Sequence, residues 1–177
     1  MFRNRYSKRM RLYHGSDQSV RSPRILKTGR TMDFGEGFYT TQSRQQASDW
    51  AKTVGRRRRG GRSTVTEYEY EESDDLRILI FEGPTEDWLE FVLANRNGDF
   101  VHDYDIILGP VADDGVYDTL MDYSRGYLTK EMAIEKLKVR EFDGQMLFHT
   151  DKSLDCLTYV GEWEVKRRST GGSSRIP

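Results

Sequence analysis

The stretch DFGEGFYTTQSRQQASDWA, Asp33 to Ala51, decides how the chain is read. Gly35 and Gly37 precede the aromatic pair Phe38 and Tyr39, and a run with helical spacing follows. Glycine lets a backbone turn sharply and approach another surface closely, so the stretch has two readings. It is a glycine-marked turn into a buried strand, or the rim of a pocket where a flat ligand lies against an aromatic ring. Phe38 and Tyr39 alternate along a strand, so one of them faces the core in either case. Behind Ser43 as N-cap, Ala47, Trp50, Ala51 and Val54 fall at i, i+3, i+4 and i+7, which predicts an amphipathic helix from Ser43 to Val54.

Working outward, residues 1–10 form a basic arm, expected to be flexible, and RLYHGS reads as a short strand ended by Gly15 and Ser16. After the helix, GRRRRGGRST sets four arginines between glycines, which predicts an exposed flexible loop over 55–63. TVTEYEYEE alternates with period two and LRILIFEG is continuously apolar; these are expected to be an edge strand and a buried strand. A helix capped by Thr85, a buried strand in YDIILGPVA, and helices at 114–126 and 129–138 follow. The strands QMLFHT and LTYVGEWEVK, joined by a short turn or helix, complete a single domain spanning 11–168. Residues 169–177 are of low complexity and expected to be disordered. Strands and helices do not alternate cleanly, so the class is α+β and not a doubly wound sheet.

The composition narrows the function classes. The chain has 177 residues, 32% of them charged, with a formal net charge of −1. No global field marks a polyanion binder, and any such binding must be local. Cys156 has no second cysteine to pair with, which suits a reducing compartment. The basic N-terminus lacks the apolar region of a secretory signal, and no segment has the length of apolar residues a membrane span needs. A cytoplasmic, membrane-free protein is expected. Phosphate loops, paired CxxC motifs and the nucleophile elbow are absent. His14, His102 and His149 lie far apart without ligand spacing, so no metal is expected.

Three weak signals remain, and they gain meaning together: LYHGS, then DFGEGFYTT with Trp50 eleven residues after Tyr39, then FDGQMLFHT. This order resembles the His-Tyr-Glu class of ADP-ribosyltransferases. With DWLEFVLANR, HDYDIILGPVADDGVY and FHTDKSLDCL, the chain over about residues 11 to 160 also resembles domain-of-unknown-function family thirty-nine ninety, regarded as ADP-ribosyltransferase-like and often encoded beside a small antitoxin. The resemblance implies an ADP-ribosyltransferase-like split antiparallel β-sheet with peripheral helices. It also implies NAD as co-substrate and a macromolecular acceptor, protein, RNA or DNA. The protein would be a toxin of a toxin-antitoxin or phage-defence system.

Carried over residue by residue, the resemblance makes His14 the ribose-binding histidine and Gly15 the residue whose backbone holds the nicotinamide amide, with Ser16 beside it. Tyr39 becomes the triad tyrosine, with Gly37 and Phe38 in the same wall, and Trp50 the second stacking ring. Stacking a cationic ring between aromatic faces is worth about 1 to 2 kcal/mol once desolvated. Arg96 either suits the end of its helix or meets the NAD diphosphate. Arg56 to Arg59 are a solvated loop or a local nucleic-acid patch. The departure is at the third catalytic position, where Gln145 stands in place of glutamate. One charge at ~5 Å in an effective dielectric of ~20 is worth about 3 kcal/mol, roughly a hundredfold in rate. Asp143 is the first candidate to supply the missing carboxylate, with Glu36, Asp103 and Asp105 behind it. Structural alternatives stand beside each assignment: His14 as a strand-end hydrogen bonder, Trp50 as core, Gln145 as a bridge between backbone groups. A glycohydrolase of NAD, or an impaired NAD- or ADP-ribose-binding module, is the alternative function.

Overall fold

Side-chain alternation sorts the strands into two sheets. The computed structural model describes residues 6–26, 32–58, 62–98, 100–112, 114–138 and 144–166. In chain order the elements are β1 (Arg9–Ser16), β2 (Phe38–Thr40), α1 (Arg44–Arg57), β3 (Thr64–Glu71), β4 (Ile78–Ile80), α2 (Glu86–Asn97), β5 (Ile106–Pro110), α3 (Asp114–Ser124), α4 (Lys130–Lys138), β6 (Gly144–Phe148), α5 (Asp151–Leu154) and β7 (Leu157–Glu164). One sheet has the order β1-β3-β7 and is antiparallel; the other has the order β2-β6-β5-β4, with only β4 and β5 parallel.

Leu12, Tyr68 and Tyr70 of the first sheet share one apolar cluster with Phe38, Ile106, Leu108, Met146 and Phe148 of the second. The two sheets therefore lie face to face. The far side of the second sheet, with Ile107 and Leu147, packs against Trp88, Leu89 and Val92 of α2, Val116 and Leu120 of α3, and Ala133 and Leu137 of α4. On the far side of the first sheet, Ala47 and Ala51 of α1 meet Tyr13 and Val65. The result is a mixed α+β layering of helix, sheet, sheet and helices.

The predicted helix caps are present: Ser43 Oγ accepts from Gln46 N at 3.1 Å and Thr85 Oγ1 from Trp88 N at 3.3 Å. Four expectations need correction. β1 begins at Arg9, and Tyr6 already bonds Glu72, so residues 6–10 belong to the folded unit rather than to an arm. α1 does not stop at Gly55 but runs to Arg57, because Gly55 is the helix position over which Arg62 and Ser63 pass; a Cβ there would lie 2.6 Å from Arg62 O. The flexible-loop expectation thus fails over 55–57, and the rest of that loop's centre, 59–61, lies outside the described residues, as does the tail at 169–177. The buried stripe of α1 is Ala47, Ala51 and Gly55, which leaves Trp50 48% exposed instead of in the core.

The fourth correction reverses two strands. β3, expected at an edge, is the centre of its sheet, while the apolar β4 is an edge strand. Alternation reports one solvated face, not an unpaired edge. Glu67 and Glu69 of β3 face outward against Arg11 and Arg9 while Tyr68 and Tyr70 are fully buried. β4 is continuously apolar because both its faces are covered, Ile78 and Ile80 by the inter-sheet core and Leu79 by the helix-side core.

The tightest inter-layer contact is at Gly15, where a Cβ would collide with Ala47 O and sit 2.8 Å from Ala51 N. Gly15→Ala is expected to cost about 3 kcal/mol, or roughly 10 °C in Tm. Gly161→Ala, where a Cβ would meet nothing within 4 Å, is expected to stay within about 0.5 kcal/mol of wild type. Equal melting temperatures for the two variants, read by circular dichroism, would refute this packing of α1 on β1.

Candidate functional site

The glycine-rich stretch lies against the helix-side face of the second sheet, and its backbone is irregular and largely covered. Buried carbonyls without a strand partner must find other donors. All three histidines of the chain serve: His102 Nε2 is 3.1 Å from Phe34 O, His149 Nδ1 is 2.7 Å from Glu36 O, and His14 Nδ1 is 2.7 Å from Tyr39 O. A carbonyl only accepts, so each of these nitrogens carries the proton. The three histidines are distant in sequence, but the rings of His102 and His149 pack with centroids 4.4 Å apart. Burial lowers the pKa of both His14 and His102, against the opposite pull of the carbonyls they bond. No group of three or more His, Cys, Asp or Glu side chains placed to hold a metal occurs among the described residues.

Tyr39 is anchored at its tip. Its hydroxyl donates to Gly35 O at 2.7 Å and accepts from Phe34 N at 3.2 Å. Desolvation is the main reason its pKa lies far above the usual phenol value, so the group stays protonated. Gly35, at φ 95°, lets the chain turn over Asn95, whose side chain would otherwise meet a Cβ at 2.9 Å.

Asp33 is the residue that the sequence reading missed. Its carboxylate is 7% exposed and receives four hydrogens. Oδ1 accepts from Arg96 Nε at 3.0 Å and Nη2 at 2.5 Å; Oδ2 accepts from Ala112 N at 2.9 Å and Gln145 Nε2 at 2.8 Å. Arg96 also donates to Ala112 O at 3.1 Å and lies over the Tyr117 ring at 4.9 Å. Gln145 Nε2 further reaches Pro110 O at 3.3 Å. Both partners of that amide end are acceptors, which fixes the nitrogen there and turns Oε1 the other way. The signal for Asp33 was its place at the head of the quoted stretch, before an aromatic and a glycine.

Tyr39 and Gln145 thus share one face of the second sheet, linked through the turn at 33–35, and Gln145 lines a cavity of about 220 Å³ with Thr41, Gln42, Ser43, Gly144 and Met146. His14 stands on the inter-sheet side of β1, bonds the backbone of Tyr39 and packs on the ring of Phe38, 4.4 Å away. Phe38 is 6% exposed and also packs on Tyr68, so it is a core ring rather than a pocket wall. Gly37 is held close to β6, where a Cβ would meet Leu147 and Phe148. Ser16 donates to Asp17. Arg96 is engaged by Asp33, Ala112 and Tyr117 rather than open to a diphosphate. Asp143 lies outside the described residues. Asp105 accepts from Arg77 N and Thr150 Oγ1, both at 2.8 Å, and ties β4 to α5.

The two sheets touch edge to edge at one point. Tyr13 and Thr41 exchange backbone hydrogen bonds of 2.8 and 2.9 Å. Two residues further, a continuing ladder would join Gly15 to Tyr39. There Tyr39 O accepts from His14 Nδ1 instead. The N–H and C=O of Gly15, which is buried, consequently face the split where the two sheets stop pairing, beneath the turn of α1 that carries Ala47 and Ala51, with Trp50 exposed on that same turn.

No helix among the described residues is long and apolar enough to cross a membrane. No curated protein and no solved structure matches the chain. The model of a family described as protein of unknown function, DUF3990, matches residues 10–159, from β1 into β7. The chain belongs to the DUF3990 family, and the split, the histidine clamp and the Asp33 cluster all lie within the matched residues.

Proposed function

We propose that the protein is an NAD-dependent ADP-ribosyltransferase whose paired sheets form an ADP-ribosyltransferase-like split. It would act as a cytoplasmic bacterial toxin on a protein or nucleic-acid acceptor and be neutralised by a small antitoxin. The observation that carries this reading is the end of the β1–β2 pairing at Gly15, next to His14, where the backbone edge of Gly15 is not laddered to β2. A primary carboxamide offers one acceptor oxygen and an NH₂ donor. The N–H and C=O of one residue on an open strand edge complement both groups at once. His14, with its Nδ1 proton committed to Tyr39 O, keeps a lone pair at Nε2 for a ribose hydroxyl. Trp50, exposed on the helical turn above Gly15, is the ring available for stacking.

When bound, NAD supplies an anomeric carbon activated by its nicotinamide leaving group. The chain's own contribution is to hold the amide at Gly15, the ribose at His14 and a hydroxyl at Gln145 Oε1. Neither Arg96 nor Phe38 enters this site, since both are committed to packing. A second reading, an NAD-binding module with little or no turnover, is favoured by one observation. The carboxylate bonded to Gln145, that of Asp33, is already engaged by Arg96, Ala112 and Gln145 itself.

The test is nicotinamide release from NAD by the purified protein, with and without added protein, RNA or DNA, followed chromatographically. Wild type is expected to release it, His14→Ala to lose at least tenfold in kcat/KM, and the exposed Arg57→Ala to match wild type. NAD binding without release would leave the binding module, and neither binding nor release would sink both readings. Release that requires no macromolecule would indicate a glycohydrolase.

The pH dependence follows from the lowered pKa of His14. The neutral ring is the working form, so kcat/KM should be flat from pH 8 to about 6.5 and fall only below that. Stability has the same sign: the unfolded chain binds the proton more readily, so the contribution of His14 is present above about pH 6.5 and lost as pH falls through the lower folded value. An acidic limb centred above pH 7 would contradict the buried, neutral histidine.

A further inference from the structure

We propose that Asp33 is the positioning residue of this site: its carboxylate sets the Gln145 amide with Oε1 toward the cavity and makes glutamine, not glutamate, the side chain that position 145 accepts. The functional part of this inference rests on the NAD reading above; the structural part does not.

The geometry is one of donors and acceptors. Gln145 Nε2 is placed 2.8 Å from Asp33 Oδ2 and 3.3 Å from Pro110 O. At 8% exposure, with Asp33 at 7%, neither group has water to substitute for a lost partner. A carboxylate in place of the amide would set its oxygen against a second carboxylate and a carbonyl, with no hydrogen between them. Two like charges at that distance in a covered site cannot both persist. Arg96 does not relieve the conflict, because both of its contacts with Asp33 are at Oδ1, on the side away from Gln145.

The same arrangement defines the function of the amide. With its nitrogen committed, the only group the side chain can offer to the cavity lined by Thr41, Gln42 and Ser43 is the carbonyl oxygen, an acceptor for a hydroxyl. Asp33 touches no ligand in this scheme and acts through Gln145. The site therefore keeps one carboxylate and one amide, with the charge on the inner residue. Exchanging the pair should move the charge to the cavity and relieve the carboxylate–carboxylate conflict, at the cost of the Arg96 ion pair.

The experiment uses the full chain as wild type, Gln145→Glu, Asp33→Asn and the double variant. Each single change should lower Tm by about 10 °C, the first by adding a repelled charge and the second by unpairing Arg96. The double variant should lose clearly less than the sum of the two single losses, since an amide again faces a carboxylate, but should stay below wild type because Arg96 remains unpaired. The charged and titratable groups around the pair are Asp33, Arg96 and Tyr39, with the Tyr117 ring over Arg96. Of these, Tyr39 stays neutral, so the Tm deficit of Gln145→Glu should shrink between pH 8 and 5 as one proton is shared between the two carboxyls. In nicotinamide release, Gln145→Glu alone should not exceed wild type. The double variant should gain in kcat by up to about a hundredfold with KM unchanged.

Additive Tm losses, or a Gln145→Glu protein as stable as wild type, would overturn the assignment. Thermal coupling with no nicotinamide release from any of the four proteins would leave Asp33 as the positioning residue and remove the NAD reading.

Discussion

The seven residues from Asp33 to Tyr39 enter a largely covered region in a conformation that is neither helix nor strand until Phe38, and the rest of the site depends on how their polar groups are satisfied. Leaving a buried carbonyl unpaired costs about 1 to 3 kcal/mol. Here the carbonyls of Phe34, Gly35, Glu36 and Tyr39 are met by His102, the Tyr39 hydroxyl, His149 and His14 in turn. The head of the segment is held by a carboxylate bonded to three separate elements, α2, the end of β5 and β6. Side chains replace a sheet ladder as the source of order, so the segment keeps its shape while its neighbours remain free to part.

The parting of β1 from β2 follows from that choice. Strands in contact normally continue pairing until a turn or bulge stops them. In this protein the ladder ends after Tyr13 and Thr41 because Tyr39 O has taken the imidazole of His14 and α1 presses on Gly15 from the other side. Gly15 is needed for the second contact, not for an unusual dihedral, since its φ lies outside the left-handed region. A residue with a side chain would lift the helix, and the geometry of the open edge would go with it. Packing on one side of the strand and hydrogen bonding on the other thus cooperate to leave the backbone edge of Gly15 unladdered toward β2.

Much of the fold was legible. Ser43 and Thr85 announce their helices because a hydroxyl at an N-cap acts locally; α3 is marked by the glycine at 126, α4 by its capping-like start at Thr129, and β5 by its apolar run closed by Gly109 and Pro110. What was not legible depends on partners distant in sequence. Nothing in TVTEYEYEE says that β7 will pair along its free edge and make β3 central, and nothing in Gly55 says that Arg62 will cross it. The site divides in the same way. His14, Tyr39 and Gln145 stood out through spacing and resemblance, but their contacts did not. The Asp33 and Gln145 pair spans 112 positions, and Arg96 lies 63 from Asp33. A lone aspartate beside glycines reads as a turn former, and only the fold turns it into a buried hub.

The histidines show why composition misleads in such a site. Three histidines invite an acid-base or metal reading, yet each spends a ring N–H on a backbone carbonyl. Burial, with the His149 ring packed against it, disfavours charge on His102. Neutral imidazole serves this purpose well: it is rigid, flat enough to stack on Phe91 and Tyr104, and carries one donor without a charge to desolvate. Lysine or arginine in these places would bring a larger desolvation cost for the same hydrogen bond. Of the three, only His14 stands at the split. The chemistry proposed for this residue therefore comes from its position, where the pairing of β1 with β2 stops beneath α1, rather than from its being a histidine.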